Sequence, residues 1–145
     1  MATKIKGQNE VLAVWDGTDT YEPVVCLISH TLSENVDEIS SRTKCDANGA
    51  TTKEAGAYTY EISFEGEYAE TEADKASWAE LRTKLRSLGT FDWRITTTYA
   101  DASTDIEYGS GFFSNLEKTA GTDEFISFSG SLIGSGLITA TDPNA

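Results

Sequence analysis

AYTYEISFEGEY, residues 57–68, alternates along its whole length. Tyr58, Tyr60, Ile62, Phe64 and, beyond Gly66, Tyr68 fall on one side; Thr59, Glu61, Ser63, Glu65 and Glu67 fall on the other. A period of two is the repeat of a pleated strand, so one wall is apolar and the other acidic. Such a strand is half-buried: its aromatic wall faces a core and its glutamate wall faces outward. The next segment, TEADKASWAELRTKLRSLG at 71–89, changes period. Trp78, Leu81, Leu85 and Leu88 recur at steps of three and four, one face of a helix, and Ala73 and Ala76 extend that stripe. Thr71 stands in capping-box spacing to Asp74, and Gly89 supplies a stop. The spacing predicts a helix over about 72–88 with Trp78, Leu81, Leu85 and Leu88 packed on the sheet. The opposite face is charged, with Glu80 one turn before Lys84, and Lys84 is read as an outer-face residue. A helix this short is marginal alone and needs a sheet beneath it.

Working outward, residues 11–15 form a short apolar strand ending at Asp16-Gly17, a tight-turn signal. Residues 21–32 resume as strand with Pro23 near the start, and 36–44 form a weaker polar strand. Asp46-Ala47-Asn48-Gly49 opens a long polar loop reaching toward Glu54. After the helix, 91–99 alternates again, 106–116 is a strand that Gly109 and Gly111 let bend, and 125–139 is one long strand or two short ones. The fold class is therefore mainly β: an antiparallel sandwich or barrel-like unit with one flanking helix. Residues 1–145 make a single domain, with a flexible arm at 1–9 and a frayed tail at 141–145.

Charge is the strongest global feature, with 24 acids against 11 bases for a net −13. Phosphate binding needs Lys and Arg, so a conventional nucleic-acid-binding role is excluded. The acids are unevenly spread: between Lys53 and Lys75 there are seven and no base, while Lys75, Arg82, Lys84 and Arg86 gather on the helix. The longest apolar run, Val24 to Ile28, is far too short to span a bilayer, and MATKIKGQNE lacks the apolar centre of a secretory signal. A cytosol-like compartment is expected, with Cys26 and Cys45 reduced and Cys26 acting as a small hydrophobe.

Reactive chemistry is hard to assemble from these residues. His30 is the single histidine, and no Ser or Cys has an evident catalytic partner. Cys26, His30 and Cys45 lack the paired spacing of a zinc site. No two carboxylates stand out as a glycosidase pair. The Gly-Ser-Gly pieces at 109–111 and 134–136 lie within strands, not at the strand-to-helix turn of a phosphate loop. No catalytic residue, metal or cofactor is expected, and a structural or assembly role follows.

Three stretches together resemble the major tail tube proteins of long-tailed bacteriophages: KGQNEVLAVWDGT, YTYEISFEGEY leading into EADKASWAELR, and SFSGSLIGSGLITATDP. Related tubes occur in tailocins, gene transfer agents and type VI secretion. The resemblance implies subunits in hexameric rings that stack into a hollow tube, part of a virion tail assembled in the host cytoplasm. It also implies partners: other copies of the chain, a tape measure protein, and terminator and initiator proteins, with double-stranded DNA passing through unbound. An acidic lumen fits that use, since it repels phosphates. Thr59, Glu61, Ser63, Glu65 and Glu67 are the expected lumen face, and Asp46, Asn48, Gly49, Thr51 and Thr52 the expected ring-stacking loop. A non-catalytic sandwich binding carbohydrate or peptide, and a carboxylate-based hydrolase, are the alternative functions.

Overall fold

The computed structural model describes residues 3–24, 26–41, 51–70 and 75–144. The chain is mainly β, with strands β1 (Glu10–Trp15), β2 (Tyr21–Pro23), β3 (Leu27–Ser41), β4 (Thr52–Glu67), β5 (Phe91–Thr98), β6 (Thr104–Thr119) and β7 (Ser127–Thr139). Among the described residues one α-helix, α1 (Trp78–Arg86), lies between β4 and β5 in the chain. All seven strands belong to one antiparallel sheet in the order β2-β1-β5-β6-β7-β4-β3, which does not close into a barrel.

The sheet curls so that strands distant in that order share one core. Tyr60 of β4 meets Trp93 of β5 edge to face at 5.6 Å, although β6 and β7 lie between them in the sheet. Leu12, Val14, Ile62, Ile95, Phe128 and Leu132 fill the same interior. Gly109 and Gly134 make the approach possible. A methyl group on Gly134 would lie 2.1 Å from the Tyr60 ring, and one on Gly109 2.5 Å from Trp93. Gly109, read from sequence as a bend, thus forms with Gly134 the floor on which two large aromatics lie, and the β6–β7 register does shift beside Gly109. At their meeting point Trp93 Nε1 donates to the Tyr60 hydroxyl at 3.1 Å, which donates to the Ser110 carbonyl at 2.6 Å. A second aromatic run, Phe91–Phe113–Phe64–Phe128, leads to Trp78 on the helix.

Helix α1 is shorter than its period predicts. It starts at Trp78 with Ser77 at the N-cap position; the proposed Thr71–Asp74 capping box lies outside the described residues. Ala76 precedes it in a β-bridge to Val24, and its N–H donates to the Pro23 carbonyl at 2.8 Å. That bridge covers the β2 edge and takes Ala76 out of the helical stripe. Trp78 and Leu81 are buried and Leu85 packs against the core, but Leu88 does not. It is 91% exposed at φ 59°, because it and not Gly89 makes the left-handed turn that ends the helix. Lys84 also departs from its expected outer position. Its ammonium donates to the Trp15 carbonyl at 2.7 Å and lies 5.1 Å from the centre of the Phe91 ring. Burial there lowers its pKa, with Glu80 the main opposing influence.

The chain between β1 and β3 is not one strand over 21–32. β2 ends at Pro23, and at Cys26 (φ 53°) the backbone turns sharply to begin β3 at the opposite edge of the sheet. Cys26 is accordingly exposed, not a small core hydrophobe. Beyond β4, Tyr68 is 40% exposed and leaves the aromatic wall to lie beneath Lys118. Phe125, expected in the last strand, precedes β7 and is 84% exposed. The tail expected to fray is hydrogen-bonded through residue 144. Tyr21 donates to Asp142 at 2.9 Å, and the Asn144 amide donates to the Tyr21 hydroxyl and to Asp92.

Candidate functional face

The outward side of β3, β4, β7 and β6 is built by register. Residues paired directly across an antiparallel sheet share a face, so the glutamate wall of β4 recruits its neighbours row by row. Glu65 stands between Ser29 of β3 and Ser129 of β7, and Ser129 pairs Glu117 of β6. Ser63 stands between Thr31 and Ser131, with Asn115 beyond. Glu61 stands between Ser33 and Ile133, with Phe112 beyond, and Glu67 pairs Ser127 opposite Thr119. Thr59 pairs Asn35. Thr59, Glu61, Ser63, Glu65 and Glu67 are all exposed, whereas Tyr60, Ile62 and Phe64 between them are buried.

These rows make a carpet of hydroxyls and amides, broken by Ile133 and the exposed Phe112 beside Glu61, set with four carboxylates, Glu61, Glu65, Glu67 and Glu117, and with no lysine or arginine among them. The Ser29 hydroxyl donates to Glu65 at 3.1 Å, tying β3 to β4 on this side. The nearby Lys118 pairs with Phe128, which turns it to the inner side, where it covers Trp78. The sequence reading found the β4 wall but not its serine neighbours. Ser127, Ser129 and Ser131 alternate with Phe128, Gly130 and Leu132 and carry the same period-two signal, obscured by the small residues around them.

The other expected sites lie elsewhere. Of the ring-stacking loop, Asp46, Asn48 and Gly49 are outside the described residues, Thr51 is exposed, and Thr52 is the first residue of β4. β4 pairs β7 only from Glu61 onward, so the ends of β3 and β4 beside that loop form a two-stranded ribbon with Val36 and Ile39 exposed. Carboxylates also gather inside one mouth of the curled sheet. Glu107 has its pKa raised by burial and by Asp105, Glu34 and Glu10, and Tyr58 donates to Glu34. Among the described residues no group of three or more His, Cys, Asp or Glu is placed to hold a metal ion, and no helix is long and apolar enough to cross a membrane.

A curled antiparallel sheet with a long open edge and one broad acidic-hydroxyl face defines a β subunit whose most developed feature is a surface, not a pocket. The sequence from residue 4 to 140 matches the phage tail tube protein family, and the chain belongs to that family. No curated protein matches it. Among solved structures it is similar to the tail of an empty gene transfer agent particle refined with C6 symmetry, at 15% identity and a TM-score of 0.76, covering 96% of this chain and 100% of that one. It is similar to a chain of the native gene transfer agent virion, at 14% identity and 0.71, covering 94% and 98%. The SPP1 tail tube matches at 11% identity and 0.74, covering 97% and 82%. The protein is a structural component of a phage-type tail tube.

Proposed function

We propose that the chain assembles into hexameric rings that stack into a tube, with the β3-β4-β7-β6 face lining a lumen through which DNA passes unbound. The face itself carries this reading. Four carboxylates without a lysine or arginine among their register partners, spaced mostly by short hydroxyl side chains, give a phosphate backbone no cation to pair with. Repeated around a ring, they form a negative band that keeps a polyanion on the axis. Sixfold symmetry is supported by the C6 tail that shares the fold. The ribbon of β3 and β4 and the loop from Asp46 to Thr52, together with the N-terminal arm, join successive rings. A tube of this kind needs no catalytic residue or cofactor. A tape measure protein occupies the lumen before DNA, terminator and initiator proteins bound the tube, and assembly takes place in the host cytoplasm.

Charge reversal tests the lumen assignment. Glu61→Lys with Glu65→Lys alters two exposed residues, so stability should change by less than about 1 kcal/mol. Tubes of the variant should retain double-stranded DNA at low salt and release it as salt rises, while wild-type tubes retain none. Variant tubes that form normally and show no salt-dependent retention would move the lumen to another face.

A further inference from the structure

We propose that the seam where the curled sheet fails to close receives the N-terminal arm of another copy of this chain. The inference rests on the self-assembly proposed above. The seam is a cleft of about 610 Å³ between the start of β1 and the start of β3, with Glu10, Leu12, Val24, Cys26, Leu27 and His30 in its lining. Both walls are open strand edges. Among the described residues β3 is the last strand of the sheet and pairs only with β4, while the β1 edge is covered by β2 from Ala13 to Trp15 and by the Val24 N–H, which donates to the Leu12 carbonyl at 3.2 Å, so it stands open before Leu12. Alternate backbone groups on the facing edges therefore lack strand partners, the condition for strand addition. The walls approach at one point, where His30 Nε2 lies 3.6 Å from the Glu10 carboxylate, beyond hydrogen-bond reach.

Charge and pattern select the occupant. In a chain of net charge −13 the first nine residues hold two lysines and no acid. Thr3-Lys4-Ile5-Lys6 alternates as a strand should, presenting Ile5 to one side and both lysines to the other. All four are exposed, with Ile5 at 44%. Ile5 suits the Leu12, Val24 and Leu27 wall, and Lys4 and Lys6 suit Glu10 and the neighbouring carboxylates Glu34 and Glu107 at the mouth. Among its described residues the arm does not fill its own seam: Gly7 and Gln8 at its base line the cleft, and Thr3 to Ile5 lie against Thr98 to Asp101 at the far end of β5.

Cys26, exposed in the cleft, is a built-in reporter. A synthetic peptide of residues 1–9 carrying Ile5→Cys is activated as its thionitrobenzoate mixed disulfide and mixed with the full chain carrying Cys45→Ser. The Cys26 thiolate attacks the peptide sulfur and displaces thionitrobenzoate, so no oxidant is needed. Coupling at Cys26 should be about tenfold faster than for a peptide that also carries Lys4→Glu and Lys6→Glu, and salt should remove the difference. The full chain with Ile5→Cys and Cys45→Ser should give an intermolecular disulfide ladder under oxidation. Equal coupling rates for the two peptides, or a disulfide confined to single chains, would overturn the proposal. Tubes without selective coupling would sink the seam and leave the tube reading standing. Selective coupling without tubes would support the seam and count against the tube.

Discussion

Replacing Tyr60 by phenylalanine removes one oxygen from the centre of the fold and leaves the ring that packs on Trp93 in place. That oxygen accepts from Trp93 Nε1 at 3.1 Å and donates to the Ser110 carbonyl at 2.6 Å. Trp93 is 0% exposed, so its indole N–H would be left without an acceptor and without water. A buried donor stranded in this way costs about 1–3 kcal/mol. The Ser110 carbonyl also loses this donor, which places the expected cost inside that range and not at its lower end. An expected total near 2 kcal/mol corresponds to a fall in Tm of about 6 °C for a chain of this size. Urea unfolding followed by tryptophan fluorescence measures it, with an unchanged slope showing that both end states are preserved. Tyr58→Phe is the control: its partner Glu34 is exposed, so the loss should stay below about 1 kcal/mol. If Tyr60→Phe lies within about 0.5 kcal/mol of the wild type, the buried hydroxyl is not a structural link between the two halves of the curled sheet.

Three further outcomes follow from the packing. Trp78→Ala should cost about 3–5 kcal/mol, Lys84→Ala about 1–2 because it frees the Trp15 carbonyl and uncovers Phe91, and Arg86→Ala less than about 0.5, all read by urea titration. Gly134→Ala should be more damaging than an ordinary strand substitution, since Tyr60 cannot stay where it is; loss of the near-ultraviolet aromatic circular dichroism reports it. Tyr21 has its pKa pushed up to about 12 from 10.0, chiefly by burial, with Asp142 adding to the shift and Asn144 opposing it. The folded state holds this proton longer than the unfolded state. The tail clamp is therefore at full strength below pH 10, and its contribution falls as pH rises from 10 toward 12. Asp142→Ala should lower the ionisation midpoint seen by ultraviolet titration.

How much of this was legible in the sequence depended on whether a residue's role was set by its own period or by a distant contact. The β4 wall was readable because Tyr60, Ile62 and Phe64 alternate with Glu61, Ser63 and Glu65, and burial follows that alternation. Trp78 and Leu81 were readable for the same reason at a helical period. Lys84 was not, because its place is fixed by a carbonyl 69 residues earlier in the chain. Leu88 satisfies the helical stripe by number, yet the backbone turns left-handed at that residue and carries it into solvent. The tail through Asn144 reads as polar and mobile, and only the fold brings Tyr21 and Asp92 beneath it. Neither the continuous single sheet nor the seam could be read from strand patterns, since alternation gives a strand's faces and not its neighbours.

The most direct test of the account is a helical reconstruction, by electron cryo-microscopy, of the assemblies the purified chain forms at high concentration. The account predicts a hollow tube of six-subunit rings, with Glu61, Glu65 and Glu67 of β4 facing the channel. A tube whose channel is lined by another face, or a chain that stays monomeric across the whole concentration range, would contradict it.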